Sequence, residues 1–116
     1  MKLAVIGSRG IREISIDKYI PNEVSEIVSG GAVGIDTLAS EYAKRHGKRL
    51  VLFLPKYELY GRCAPIKRNE EIARYADSAI AFWDGKSKGT AHTIKFFQKL
   101  GKPVTVITLE ETLCKR

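Results

Sequence analysis

The chain has no run of 18 apolar residues, so no segment is expected to cross a membrane as a helix, and no membrane partner is expected. It has only two cysteines, Cys63 and Cys114, which match no metal-ligand spacing. The opening "MKLAVIGSRG" reads as a first strand, not a secretion signal. Both thiols are therefore expected free, in a reducing, cytoplasmic compartment. The two histidines, His46 and His92, sit in helical patterns without a second ligand at useful spacing, so neither a metal nor another cofactor is expected. Repeats, linkers and low-complexity tracts are absent. Acidic residues are outnumbered, 13 against 20 Lys and Arg, and the net charge of +7 favours anionic partners. Charge alone does not separate a nucleotide from a nucleic acid, or either from a merely solubilised surface.

What is present is a core for one domain over residues 1–116, with 44% apolar residues. "LAVIG" (3–7), "EIVSG" (26–30), "RLVLFL" (49–54), "SAIAFW" (78–83) and "PVTVITL" (103–109) read as five strands. Their near-continuous apolarity suits strands covered on both faces. In "GIDTLASEYAKRHG" (34–47), Ile35, Leu38, Ala39, Tyr42 and Ala43 form the stripe of a half-buried helix, and Gly47 stands where a C-terminal cap belongs. A second helix is expected over 64–77, with Ile72, Ala73 and Ala76 inward. A third covers 89–103, with Ile94, Phe97 and Leu100 inward and Gly101 as its stop. A short helix is expected around Ile14 to Ile20, and "EETLCKR" reads as a frayed tail or short helix.

This alternation predicts an α/β fold: a single Rossmann-like, doubly wound parallel sheet of about five strands with helices on both faces. Ligands in such sheets bind beyond the carboxyl ends of the strands, where strand order reverses. If the first strand is central, its neighbours are the second and fourth. The loops after these three are "GSRG", "SGGAVG" and "DGKSKGT", all rich in glycine.

Backbone N–H groups at a helix start can hold phosphate or carboxylate. Gly7, Ser8 and Arg9 follow the first strand, with Arg9 able to fork onto phosphate or pair with an acidic neighbour. Ser29, Gly30 and Gly31 follow the second. Asp36, in the first helical turn, reads either as a dipole or capping partner or as a contact to a ribose hydroxyl or metal. Gly85 and Gly89 bend the third loop, while Ser87 and Thr90 offer hydroxyls; Thr90 also reads as an N-terminal cap. The loops are neither a P-loop, lacking its Lys-Ser/Thr ending, nor GxGxxG.

With "GSRG", "IVSGGAVGIDTLASEYA", "RCAPIKRNEEIARYAD" and "AIAFWDGKSKGTAHTI" in this order, the chain resembles the SLOG superfamily. That superfamily takes its name from Smf-type DNA-processing proteins and Lonely-guy phosphoribohydrolases, and the small YspA-like group of bacteria and phages is most similar. The resemblance implies a Rossmann-like, SLOG-like nucleotide-binding domain, and related domains often dimerise, so a homodimer is compatible with it. Lonely-guy enzymes cleave the N-glycosidic bond of nucleoside monophosphates with an Arg-Lys pair and a loop ending Gly-Thr-x-x-Glu. Here Arg68 matches the Arg and Asn69 replaces the Lys; Gly89 and Thr90 match the loop, and Thr93 stands in the place of the catalytic Glu. A catalytic carboxylate would have to come from Asp36 or Asp84, working with Arg68. Smf-type proteins bind single-stranded DNA and resemble the chain at "SGGAVGID" and Arg68-Asn69. For that role Tyr57, Tyr60 and Trp83 would have to be exposed for base stacking rather than buried.

The expected function is binding or sensing of a nucleotide or nucleotide-derived phosphorylated ligand at the carboxyl edge of the sheet. The alternatives are nucleoside-monophosphate N-glycoside hydrolysis and single-stranded DNA binding.

Overall fold

Side chains of a strand alternate between its two faces, and here both faces are apolar. Leu3 and Val5 join Ile27, Ile80 and Phe82 in one core, while Ala4 and Ile6 join Val28, Ala79 and Ala81 in the other. The computed structural model describes residues 1–8, 10–11, 14–31 and 34–108. Strands β1 (Lys2–Gly7), β2 (Glu26–Ser29), β3 (Arg49–Leu52), β4 (Ser78–Trp83) and β5 (Val104–Thr108) form one sheet of order β3-β2-β1-β4-β5. Every neighbouring pair is parallel. The first strand is central between the second and fourth, which meets the condition set above, and strand order reverses there.

The two faces differ in the size of their residues. Helix α1 (Ile35–Arg45) lays Ile35, Ala39, Tyr42 and Ala43 on the face with the large strand residues. On the other face the alanines of β1 and β4 let two helices settle close. These are α3 (Ala64–Tyr75), through Ile72 and Ala73, and α4 (Lys88–Lys99), through Ile94 and Phe97. Each fully buried Ile or Phe contributes about 1.5–3 kcal/mol of transfer free energy. A short helix α2 (Tyr57–Tyr60) follows β3. Among the described residues no helix is long and apolar enough to cross a membrane.

Helices α1 and α4 end alike. Lys48 N–H donates to Ala43 O at 2.9 Å and Gly47 N–H to Lys44 O at 3.4 Å; Lys102 N–H donates to Phe97 O and Gly101 N–H to Gln98 O, both at 3.0 Å. These are paired Schellman bonds, and they place Gly47 and Gly101 at φ of 62° and 74°, where a Cβ is disfavoured. Lys102 then reaches across to α3. Its ammonium donates to Ala73 O, Arg74 O and Ala76 O, each at 2.8 Å, and so caps the carbonyl end of that helix.

Several expectations need correcting. The crossover between β1 and β2 contains a 3-10 turn at Asp17–Tyr19, not a helix over 14–20. Pro21 offers no N–H to prolong a helix. Asp17 is also drawn to the end of α1, accepting from Arg45 at 2.8 and 3.1 Å and meeting His46 at 3.0 Å. Those bonds, Arg45 first, hold its carboxyl below the usual value. Ile11, Ile16, Ile20 and Val24 of this crossover are buried against the α1 face. Strand β3 stops at Leu52, and as edge strands β3 and β5 are covered only in part. Leu100, expected inward, is 40% exposed because it lies in the turn beyond α4. The expected tail at 110–116, with Cys114, lies outside the described residues, as does Arg9. Cys63 is an exposed free thiol.

Candidate functional site at the strand-order reversal

The loops after β1 and β4 leave the sheet as neighbours, and they are tied together. Ser8 N–H donates to Phe82 O at 3.1 Å, and Asp84 N–H donates to Ser8 Oγ at 3.3 Å. Asp84 Oδ1 then accepts the N–H groups of Lys86 and Ser87, both at 2.8 Å. Trp83 donates its indole N–H to Ser87 O at 3.0 Å. Burial would raise the Asp84 carboxyl, but the backbone N–H bonds and the Ser8 hydroxyl outweigh it and hold Asp84 below its ordinary value. It is thus a carboxylate at neutral pH.

Helix α4 begins in this loop. Ser87, not Thr90, is its N-cap: Ser87 Oγ accepts Thr90 N–H at 3.4 Å and meets the Thr90 hydroxyl at 3.2 Å. The first turn carries no acidic side chain. Helix geometry leaves the Gly89 N–H without a carbonyl one turn back. Thr93, where the resemblance puts a catalytic Glu, is 1% exposed and donates its hydroxyl to Gly89 O at 2.9 Å.

A cavity of about 440 Å³ opens between these loops, which is within the range of small-ligand sites. Gly7 and Ser8 border it after β1, and Gly30 borders it after β2. Asp84, Ser87, Gly89, Thr90 and Thr93 border it after β4. Asp36 comes from the first turn of α1, at a position inside the helix, so Gly34 and not Asp36 is the capping residue there. Arg68 and Asn69 come from α3. Ser29, Gly31 and Gly85, expected at the site, stand outside the cavity wall: Ser29 is fully buried, while Gly31 and Gly85 are exposed. Ile6, Gly10, Pro65 and Ile72 also border it. None of these four is among the expected site residues, and Ile6 is simply the last apolar residue before Gly7.

Arg68 is 7% exposed. Its Nη1 donates to Gly30 O at 2.7 Å and Phe53 O at 3.5 Å, and its Nε donates to Asn69 Oδ1 at 2.8 Å. A Cβ on Gly30 would fall 2.7 Å from Arg68 Cζ. Gly30 is therefore the seat of the guanidinium. Among the aromatics considered for stacking, Tyr57 and Tyr60 are 56% and 41% exposed, while Trp83 is half-buried with its N–H already engaged. His46 meets Asp17, and His92 meets Glu70 at 3.2 Å. Among the described residues no group of three His, Cys, Asp or Glu side chains converges as a metal site would require.

Fold and cavity together define a Rossmann-like α/β domain with a polar cleft at its topological switch point. No family model and no solved structure matches the chain. The Gene 61 protein of Mycobacterium phage D29 is 37% identical to it over 84 residues, covering 67% of each chain. The chain belongs to the family of that phage protein.

Proposed function

We propose that the cavity binds a nucleotide or nucleotide-derived phosphorylated ligand, and that the domain is a SLOG-type sensor or binding module. The observation that carries this reading is the mixed polarity of the wall. The α4 N-terminus with Gly89, the Thr90 and Ser87 hydroxyls and the Arg68 charge suit a phosphate. The carboxylates of Asp36 and Asp84 suit the hydroxyls of a ribose. A simple anion site has no use for the second set.

Gly89 adds support. It lies in a helical turn, has no positive φ, and among the described residues a Cβ built on it would meet no atom within 4 Å beyond its chain neighbours and its own helix backbone. Nothing among the described residues requires glycine there, and glycine in a helix costs about 0.5–1 kcal/mol relative to Ala. Its reason is space for a ligand. Gly89→Ala is expected to raise unfolding stability by about 0.5 kcal/mol while weakening AMP binding about tenfold or more. Urea denaturation and calorimetric titration read the two effects. Unchanged AMP affinity in the variant would remove this support, and failure of the wild type to bind AMP, GMP, CMP or UMP would remove the proposal.

A second reading, N-glycoside hydrolysis, is favoured by one observation: Asp84 is an ionised carboxylate on the cavity wall. Against it, Thr93 spends its hydroxyl within its own helix. Release of free adenine from AMP is expected to be slow or absent, as followed by chromatography. Turnover at enzymatic rates that Asp84→Asn abolishes would establish the hydrolase instead.

A further inference from the structure

Arginine has only donors. The Asn69 atom that faces Arg68 Nε at 2.8 Å is therefore the amide oxygen, and this contact settles which way round the amide sits. Arg68 is itself fixed, because its Nη1 is bonded to Gly30 O and its guanidinium fills the space above Gly30. Asn69 Nδ2 is left on the other corner of the amide. Among the described residues it has no protein acceptor, and no buried side-chain N or O atom there lacks a partner, so Nδ2 is solvent-accessible on a residue that borders the cavity.

We infer that Asn69 is a specificity-determining residue whose amide, locked by Arg68, presents only N–H donors and takes a phosphate oxygen of the ligand. This deepens the nucleotide reading and rests on it. Arg68 acts here as a positioning residue, setting the polarity of its neighbour through Nε. The site thus reads the phosphate with a neutral donor backed by a buried cation, rather than with a second cation. A neutral donor binds oxygen only when it is aimed, which is why the locking contact matters.

The test is Asn69→Asp. The carboxylate still accepts from Arg68 Nε, so the fold is retained, while the cavity-facing donor becomes an acceptor. AMP affinity is expected to fall at least tenfold, adenosine affinity to change less than threefold, and unfolding stability to hold or rise. In 15N spectra of the wild type, the Asn69 side-chain amide pair should shift on addition of AMP. Equal AMP affinity in the variant and wild type would overturn the inference, leaving Asn69 a structural partner of Arg68. Parallel losses for AMP and adenosine would move its contact from the phosphate to the nucleoside and overturn it as well. A wild type that binds no mononucleotide would instead bring down the nucleotide reading, and the inference with it.

Discussion

Gly7→Ala is expected to lower the free energy of unfolding by about 3 kcal/mol, at the upper end of overpacking effects. The added Cβ would fall 2.5 Å from Ile35 Cγ1, 2.9 Å from Ile35 Cβ and 2.7 Å from Phe82 O. Neither residue can yield cheaply. Phe82 O is backbone of the neighbouring strand and also accepts the Ser8 N–H. Ile35 is fully buried at the start of α1. Relief requires α1 to slide along β1, which disturbs the cavity wall as well as the core. Urea denaturation with an unchanged m-value is the measurement. Combining Gly7→Ala with Ile35→Ala should give a loss smaller than the sum of the two, because the smaller side chain makes room for the larger. A loss below 1 kcal/mol for Gly7→Ala alone would mean that the close approach of α1 to β1 is not a constraint.

Arg68→Ala is expected to cost about 2–3 kcal/mol of stability, since deleting a buried donor strands its acceptors at roughly 1–3 kcal/mol each and open water at the cavity offsets part of this. Arg68 holds together three places distant in sequence: Gly30 after β2, Phe53 after β3 and Asn69 on its own helix. Affinity for AMP should fall by about tenfold or more, in line with the strength of charge-assisted hydrogen bonds. Arg68→Lys should not rescue either effect, because an ammonium cannot serve Gly30 O and Asn69 Oδ1 from one planar fork. Circular dichroism at the titration temperature separates lost binding from lost folding. Full AMP affinity in a folded Arg68→Ala protein would take Arg68 out of the site.

Much of this was legible in the sequence because it depends on local patterns. Five apolar runs gave five strands, and helical stripes with glycine stops located α1 and α4. The nearness of the loops after β1, β2 and β4 followed only on the condition that β1 is central, which the strand pairing supplies. What was not legible depends on partners far along the chain. The burial of Ile16 and Ile20 without a helix is decided by α1, which also holds Asp17. Lys102 reads as one more surface cation, yet its three protons cap α3. Ser87 and Thr90 are both good capping residues, and only the bonds within the loop choose Ser87. The glycines are the sharpest case. Gly7, Gly30 and Gly89 look alike in sequence, but the first makes room for a helix, the second for a guanidinium, and the third for nothing among the described residues.

The bonds among Ser8, Asp84, Ser87 and Trp83 also bear on how fast a ligand can be captured. A loop already fixed on both sides of its turn has no search left to make when the ligand arrives. Immobilising a free side chain on binding costs about 0.5–1.5 kcal/mol, and here much of that ordering is completed during folding. If the cleft takes the phosphorylated ligand proposed above, its capture would resemble a rigid encounter more than the closing of a lid. The rate would then be set by diffusion and by attraction between an anion and a chain of net charge +7.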